Sequence, residues 1–366
     1  MASGRSHVLA AALAALLASG VSAARWSAGD LSALHDVVSG APAEGLTDYD
    51  ADAALQLSPG DVTDVLADII ALKLARDYFE GSARIRDDKS WHIVRAPLDY
   101  RAWLDASLAR HSLRADFTQL LPNTTRYRFL RQSLTACKTA PDCARIAINL
   151  DRLRALPRDL GTRYLWVNVP AFRLDLVENG TIVASHRIIV GKPGSQTPTF
   201  QAKVTGVTIN PWWNVPCSIV DESIGKLVTT NPKEAARRGY VASRDAKGKL
   251  VVRQRPGPDN ALGQIKLEMP NPYNVYIHDT PSKDLFANQR RAFSHGCIRT
   301  QDPHSLAVSV LGPDQEQTVD LLLATGVSRT LRLPAPMPVY VVYMTAEATD
   351  DGQVTSYPDI YKRDRP

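Results

Sequence analysis

One cysteine of this 366-residue chain lies in a setting that suits nucleophilic chemistry. Cys297 follows Gly296, and His278 ends a strand-like run earlier in the chain. A cysteine attacks as its thiolate, and a histidine within hydrogen-bond reach can take the thiol proton and keep the resulting ion pair poised. Gly296 removes side-chain bulk beside the nucleophile, and the consecutive amides of Gly296 and Cys297 could face a developing oxyanion. The pattern predicts acyl transfer through a cysteine.

A metal site is an alternative for the same residues. Three histidines and the cysteine are possible zinc ligands: His278, His295, His304 and Cys297. The chain contains neither a CxxC nor an HExxH spacing, and a thiolate bound to zinc would be a poor nucleophile. A further alternative treats the histidines as packing or surface residues. We predict a site without metal or cofactor.

The remaining cysteines have other settings. Cys137 and Cys143 lie six positions apart around Pro141, close enough to close a small loop. In an oxidising compartment such a bond would add roughly 2 kcal/mol to stability, so we predict a disulfide here. The alternative is two reduced, half-buried thiols. We interpret Cys217 as a buried small residue, with pairing to Cys297 under oxidation as the alternative.

Composition and the N-terminus restrict the class of protein. The chain is 44% hydrophobic and 22% charged, which is ordinary globular composition. Its net charge of +5 comes without a basic run, so we predict no nucleic-acid partner. Arg5, the apolar run 8–18 and the small residues at 21–23 predict a signal peptide over 1–23 and a periplasmic or cell-envelope location. The alternative is a buried or uncleaved N-terminal helix. No later segment reaches the ~20 apolar residues of a membrane span.

The rest of the chain predicts an α+β fold in two domains. Residues 24–158 have helical periodicity and are interpreted as a helical scaffold, with helices over 61–79, 101–108, 127–134 and 144–155. After Pro157 the pattern alternates, and Asn179-Gly180 is a hairpin signal, so residues 159–366 are predicted to form a mostly β domain. A polar, charged stretch over about 217–254 predicts a lid inserted into that domain.

The cysteine motif resembles a known family. A histidine, fifteen residues and then the segment 294–299, Ser-His-Gly-Cys-Ile-Arg, are similar to the signature of YkuD-type L,D-transpeptidases and their YcbB-like branch. Further stretches carry the resemblance: 167–172, 189–192, 210–216, 260–266, 276–281 and 291–293. The resemblance covers about Ala144 to the C-terminus and implies a YkuD-like β-sandwich or barrel. Members of that branch usually carry a peptidoglycan-binding module within the scaffold, where this chain has only the short 137–143 corner.

The resemblance also implies roles for individual residues. Cys297 would be the nucleophile and His278 its base, with the main-chain carbonyl of Asp279 orienting the imidazole. Gly296 and Cys297 would form the oxyanion hole. Five further positions would shape or line the donor site: Ser294, His295, Arg299, Tyr276 and Trp213. Core packing of Trp213 and a structural ion pair of Arg299 are the alternatives.

The implied activity is peptidoglycan cross-linking in cell wall biogenesis, with consequences for cell shape. A tetrapeptide stem would acylate the cysteine and release D-Ala, and an acceptor amine of a second stem would resolve the thioester. We favour a third-to-third link over a first-to-third link. The alternatives are an L,D-carboxypeptidase, D-amino acid exchange and a non-catalytic wall-binding scaffold. Carbapenems would be covalent inhibitors, and four basic lid residues could hold a stem carboxylate: Lys226, Lys233, Arg237 and Arg238.

Overall fold

The computed structural model describes residues 25–49, 61–349 and 352–364, so the predicted signal peptide lies outside the described residues. A helical N-terminal region is followed by a β-rich region built on a closed sheet, which confirms the predicted fold class. In the described ranges, no helix is both long and apolar enough to cross a membrane.

The N-terminal region consists of helices that begin at side-chain caps. Asp99 accepts hydrogen bonds from the amides of Arg101 and Ala102, and Thr124 accepts one from the amide of Tyr127. Such caps satisfy amides that the first helical turn leaves without partners. The helices are α1 (Ala28–Gly40), α2 (Asp61–Glu80), α3 (Ala83–Arg86), α4 (Tyr100–Ala109), α5 (Leu113–Leu120), α6 (Thr125–Ala136) and α7 (Ala140–Arg154), with a 3-10 turn over Ala41–Glu44.

A disulfide closes the corner between α6 and α7. Cys137 and Cys143 are bonded, with their Cα atoms 5.6 Å apart. Thr139 caps α7 by accepting a hydrogen bond from the amide of Asp142 within the same loop. The corner is therefore fixed by a covalent bond and a helix cap together.

The β-rich region is organised around one closed sheet. Its strands are β1 (Trp91–His92), β2 (Arg163–Asn168), β3 (Arg173–Glu178), β4 (Thr181–Gly191), β5 (Thr199–Ile209), β9 (Ile265–Glu268), β10 (Ile277–His278), β11 (Ala292–Ser294), β12 (Ile298–Thr300) and β13 (Arg329–Val342). The strand order is β1-β5-β13-β2-β3-β4-β12-β10-β9, and β9 pairs again with β5, which closes the sheet. β11 pairs with β4. Helices α11 (Pro303–Leu311) and α12 (Glu316–Thr325), 3-10 turns over Lys283–Ala287 and Pro313–Gln315, and the hairpin β14 (Ala346–Ala348) and β15 (Val354–Ser356) complete the region.

The predicted hairpin between β3 and β4 has the expected turn. Asn179 and Gly180 both adopt positive φ, 49° and 82°. A two-residue turn with positive φ at both positions matches the twist of antiparallel strands, and Asn-Gly adopts it most readily. The short-range sequence signal therefore sets the pairing next to the turn, Glu178 with Thr181 and Val177 with Ile182, and a bulge then shifts the register so that Leu176 pairs with Ala184.

The predicted lid is a small structure with its own apolar cluster. It contains α8 (Cys217–Ile219), a π-helical turn (Val220–Ile224), α9 (Gly225–Thr230), α10 (Pro232–Arg237), and the strands β7 (Tyr240–Arg244) and β8 (Leu250–Gln254). The strand β6 (Trp213–Asn214) lies just before the predicted start of the lid. The strands form a three-stranded sheet in the order β6-β8-β7. Trp213, Val220, Val252 and Leu262 are buried together, and Tyr276 packs against them. This cluster joins the lid to the strand that carries His278.

The helical and β-rich regions share a second cluster. Seven of its buried side chains lie in or next to β1, α6 and α7, and eight lie in β2, β3, β13 and β14 or in the segment between β13 and β14. They are Ile93, Tyr127, Leu130, Ile146, Leu150, Leu153 and Leu156 on one side, and Tyr164, Trp166, Val177, Tyr340, Val342, Met344, Ala346 and Ala348 on the other. The two regions are therefore joined by a continuous core.

Candidate active site

Two neighbouring strands bring the cysteine and the histidine together. β10 and β12 pair in parallel, with Ile277 opposite Ile298 and His278 opposite Arg299. Cys297 immediately precedes β12, and the amide of Ile298 donates to the carbonyl of Tyr276 at 2.8 Å. The strand register therefore fixes the separation of the two predicted catalytic residues.

His278 is buried and held by main-chain carbonyls. Its Nδ1 hydrogen-bonds the carbonyl of Asp279, as the resemblance implied, and the carbonyl of Leu262 also faces the ring. Burial, followed by the positive charge of Arg299, lowers the pKa of His278 to about 3, although the two carbonyls oppose that change. The imidazole is therefore neutral near pH 7. With the Nδ1 proton directed at Asp279, the Nε2 lone pair is the basic site.

The side chain of Asp279 secures the turn that carries this carbonyl. Its carboxylate accepts hydrogen bonds from the amides of Gln264 at 2.8 Å and Thr280 at 2.6 Å, and it binds Lys283 Nζ at 2.6 Å. A Cβ atom at Gly263 would lie 2.2 Å from the same carboxylate, and Gly263 has φ of 61°. Only glycine allows this close approach, so the carboxylate has a positioning role that the sequence did not suggest.

Cys297 is half-buried, and its thiol lies 3.8 Å from the carbonyl oxygen of Asn274. Burial raises the pKa of the thiol, while the main-chain amide of Tyr276 and the charges of Arg299 and Lys266 lower it to a smaller extent. The resting pair is therefore a neutral thiol and a neutral imidazole, in place of the expected ion pair. Asn274 and Lys266 were absent from the predicted site because they reach it through the fold and carry no local motif.

The predicted oxyanion donors differ in their availability. The amide of Gly296 donates to Ser294 Oγ at 3.1 Å, and that hydroxyl donates to the carbonyl of Cys297 at 2.6 Å. Among the described residues, the amide of Cys297 has no hydrogen-bond partner. Gly296 has φ of 114°, a conformation that strongly favours glycine. The structure therefore leaves the Cys297 amide free, while the Gly296 amide is occupied.

Arg299 lies beside both catalytic candidates without a counter-ion. Its Nε is buried without a hydrogen-bond partner, and within the described ranges its guanidinium makes no ion pair. Burial lowers the pKa of Arg299, and the nearby Cys297 opposes that change. Among the described residues, Arg299 therefore has no partner for the structural ion pair that was the alternative interpretation. The arrangement suits an incoming anion.

The remaining predicted donor-site residues connect the motif to the lid. His295 Nε2 lies 3.4 Å from Glu222 in the π-helical turn and 3.4 Å from Lys192 Nζ. Tyr276 packs against the lid cluster, and Lys266 Nζ lies 4.6 Å from the centre of its ring. Trp213 is buried in that cluster, as the core-packing alternative supposed.

Cys217 and the basic lid residues differ from their interpretations. The prediction that Cys217 is buried is wrong, because its side chain is exposed in α8, which has no buried residue, and Val220 in the next turn supplies the buried side chain. Arg237 and Arg238 both bind Glu234, at 2.7 and 2.6 Å, whereas Lys226 and Lys233 have no ion pair within the described residues. The two lysines are therefore available to bind a stem carboxylate, whereas the two arginines already bind one carboxylate of the protein.

The possible metal ligands do not form a cluster in the part of the chain that the structure describes. No three histidine, cysteine or acidic side chains there are arranged to hold a metal ion. His304, the most distant of the four in sequence from His278, binds Asp320 at 2.7 Å. Its contact is a surface pair between α11 and α12.

Comparisons with known proteins agree with the motif. The family model of the YkuD L,D-transpeptidase catalytic domain matches residues 162–320, and the model of the Scaffold domain matches residues 12–134. A protein of Haemophilus influenzae, provisionally assigned as an L,D-transpeptidase, is 29% identical over 378 residues. That alignment covers 94% of this chain and 74% of the relative.

Solved L,D-transpeptidase structures are also similar to part of the chain. Those from Mycobacterium smegmatis and M. tuberculosis (L,D-transpeptidase 1) are 14% and 16% identical, with TM-scores of 0.26 and 0.22. Each match covers 50% of this chain, and 58% and 61% of those chains, which is less than two thirds of their length. The catalytic domain of an Enterococcus faecium L,D-transpeptidase, solved acylated by ertapenem, is 14% identical with a TM-score of 0.24, over 50% of this chain and 99% of that domain.

The two family models are separated by residues 135–161, which include α7, and the order of the matched domains is the order of the helical and β-rich regions. The H. influenzae relative aligns across both. The chain therefore contains a match to the YkuD L,D-transpeptidase catalytic domain over residues 162–320, preceded by a match to a Scaffold domain over residues 12–134.

Proposed function

We propose that the protein is a peptidoglycan L,D-transpeptidase that acts through a thioester on Cys297. The observation that carries the proposal is a half-buried thiol directly before β12, which pairs with the strand of a buried, neutral histidine whose Nδ1 is held by a carbonyl. This arrangement supplies a nucleophile and a base for acyl transfer. The exported location predicted from residues 1–23 is part of the proposal.

The first step transfers the stem peptide to the cysteine. The thiol rotates from the Asn274 carbonyl toward His278, whose Nε2 takes the proton as Sγ attacks the carbonyl before the terminal D-Ala. The amide of Cys297 donates to the oxyanion, and preorganised donors of this kind supply several kcal/mol. The imidazolium then returns the proton to the departing amine, which leaves as D-Ala.

Arg299 links substrate binding to the strength of the base. Its guanidinium has no counter-ion within the described residues and is one of the causes that lower the pKa of His278. A stem carboxylate bound at Arg299 would neutralise that charge, so the pKa of His278 would rise toward its ordinary value. The base is therefore strongest when the substrate is bound.

The second step resolves the thioester with an amine from another stem, and we favour the third-to-third link over the first-to-third link. The lid governs this choice, because Glu222 contacts the motif residue His295 and the unpaired Lys226 and Lys233 remain available for an acceptor carboxylate. Hydrolysis of the same thioester would make the enzyme an L,D-carboxypeptidase. Purified enzyme given disaccharide tetrapeptide distinguishes these outcomes.

The experiment combines products with a covalent probe. We expect a cross-linked dimer whose fragment masses locate the bond, and a mass increase of one drug molecule when a carbapenem is added. Cys297→Ala should abolish both, whereas Cys217→Ala, the matched change at the exposed thiol, should abolish neither. Tripeptide and free D-Ala without dimer would refute the transferase. An unchanged mass of the wild-type protein, or an adduct that survives Cys297→Ala, would refute the nucleophile.

A further inference from the structure

A buried threonine outside the cysteine motif contacts the peptide that precedes the nucleophile. Thr197 is fully buried in the loop between β4 and β5. Its hydroxyl donates to the carbonyl of Gly296 at 2.8 Å and accepts from the amide of Gly191 at 3.0 Å. Both hydrogen-bonding functions of the hydroxyl are therefore used, one of them on the Gly296–Cys297 peptide.

This contact determines where the free amide points. The described peptide bonds are all trans, and in a trans peptide the C=O and N–H groups point in opposite directions. Thr197 holds the Gly296 carbonyl toward the protein interior, so the Cys297 amide points away from it, on the opposite side of the peptide plane. Ser294 holds the peptides on either side through the Gly296 amide and the Cys297 carbonyl. Three consecutive peptides are thus fixed by two hydroxyl groups.

The loop that carries Thr197 is itself held by the C-terminal segment. Tyr361 donates its hydroxyl proton to the carbonyl of Gly191 at 2.6 Å and accepts from the amide of Thr197 at 3.2 Å. Arg363 binds Gln196 Oε1 at 2.8 Å. A Cβ atom at Gly191 would lie 2.1 Å from the carbonyl oxygen of Ser195, so glycine is needed for the loop to fold back this tightly. Thr197 therefore has little freedom to move.

We propose that Thr197 is a positioning residue, which aims the Cys297 amide at the oxyanion by holding the Gly296 carbonyl. This inference rests on the proposed acyl transfer. It assigns part of the oxyanion hole to a residue one hundred positions from the nucleophile, and it gives the C-terminal segment a role in catalysis through Tyr361. Thr197 makes no contact with the thiol, so its effect is confined to the oxyanion.

Two reactions of the same thiol separate this role from a general structural one. Acylation by a carbapenem passes through a tetrahedral oxyanion, whereas alkylation by iodoacetamide displaces iodide and forms no oxyanion. In Thr197→Val, acylation of Cys297 should slow at least tenfold, up to the ~10²–10³-fold typical of a lost oxyanion donor. Alkylation should stay within about threefold of the wild-type rate. Thr197→Ser keeps the hydroxyl and should restore acylation to within about threefold.

Matched variants keep the test decisive. Ser107→Ala removes another fully buried hydroxyl, which donates to Asp116 at 2.6 Å in the helical region, and should leave both rates unchanged. If Thr197→Val does not fold, Thr197→Ala provides the same comparison. Wild-type acylation in the hydroxyl-free variants, or equal slowing of both reactions, would overturn the role of Thr197 alone. A wild-type protein that is alkylated but never acylated at Cys297 would overturn the acyl-transfer proposal, and this inference with it.

Discussion

At the scale of single residues, the site combines a thiol and an imidazole whose charged forms are both disfavoured by burial. The pKa of Cys297 is raised and that of His278 is lowered, so the proton remains on sulfur in the resting enzyme. A cysteine and a histidine within hydrogen-bond reach were expected to keep an ion pair poised, but the residue types alone carry no information on desolvation. In the proposed mechanism, proton transfer therefore accompanies attack on the substrate, and the free thiol should be a slow nucleophile.

The role of His278 can be tested through pH. His278→Ala should slow carbapenem acylation by about 10²-fold near pH 7, the usual contribution of a general base, because little of the thiol is ionised there. The deficit should shrink as pH rises and thiolate forms without the base.

In the wild type, a His278 pKa of about 3 keeps the imidazole neutral down to about pH 4, so acylation should persist at pH 5. Stopped-flow rates between pH 5 and 10 measure both trends. His186→Ala, at another buried histidine, is the control, and parallel profiles for His278→Ala and wild type would exclude the base.

Arg299 offers a second test at this scale. Replacing it with methionine removes a positive charge that disfavours the imidazolium, so the pKa of His278 should rise. An imidazole titration followed by ¹⁵N NMR measures the change directly. The same variant should raise the KM for a tetrapeptide donor about tenfold, since the carboxylate loses a charge-assisted partner. A His278 pKa that stays low in Arg299→Met would show that burial alone sets it.

At the scale of elements, the disulfide between α6 and α7 should contribute to the stability of the protein but not to the reaction of Cys297. The disulfide closes a short loop, and loss of such a constraint costs roughly 2 kcal/mol in the chain-entropy model. The double variant Cys137→Ser, Cys143→Ser should therefore lower the free energy of unfolding by about that amount in urea titrations. Carbapenem acylation of Cys297 should not change. A reductant should destabilise the wild type but not the double variant, and equal stability of all four samples would contradict the prediction.

Elements with local signals were predictable from the sequence, and those that depend on distant partners were not. The spacing of apolar residues predicted α2, and Asn179-Gly180 predicted the β3–β4 turn, because both signals reside in neighbouring residues. The two-residue strand β1 exists only because it pairs with β5, more than one hundred positions later. The contact of Thr197 with Gly296 has the same origin. The motif thus predicted the candidate nucleophile, while the residues that support it could be found only from the fold.

At the scale of the whole molecule, the helical region is more than a neighbour of the catalytic domain. Asn149 of α7 donates to Thr345 Oγ1 at 2.7 Å, and the buried Arg152 binds Asp364 at 2.8 Å in the C-terminal segment. The same segment carries Tyr361, which supports the loop of Thr197. A chain of contacts therefore runs from α7 through the C-terminus to the peptide that precedes Cys297.

The shared core predicts that the two regions unfold together. Separating them would expose the buried side chains that the closed sheet contributes to it, including Trp166, Tyr340 and Val342. Exposing each large apolar side chain costs about 1.5–3 kcal/mol, and a few such losses match a typical domain stability of about 5–15 kcal/mol. We therefore expect residues 159–366 alone to be insoluble or to lack a cooperative melting transition, whereas residues 24–366 should melt in one calorimetric transition. A soluble 159–366 fragment that melts cooperatively and is acylated at the full-chain rate would show that the catalytic domain folds independently and that α6 and α7 are dispensable to it.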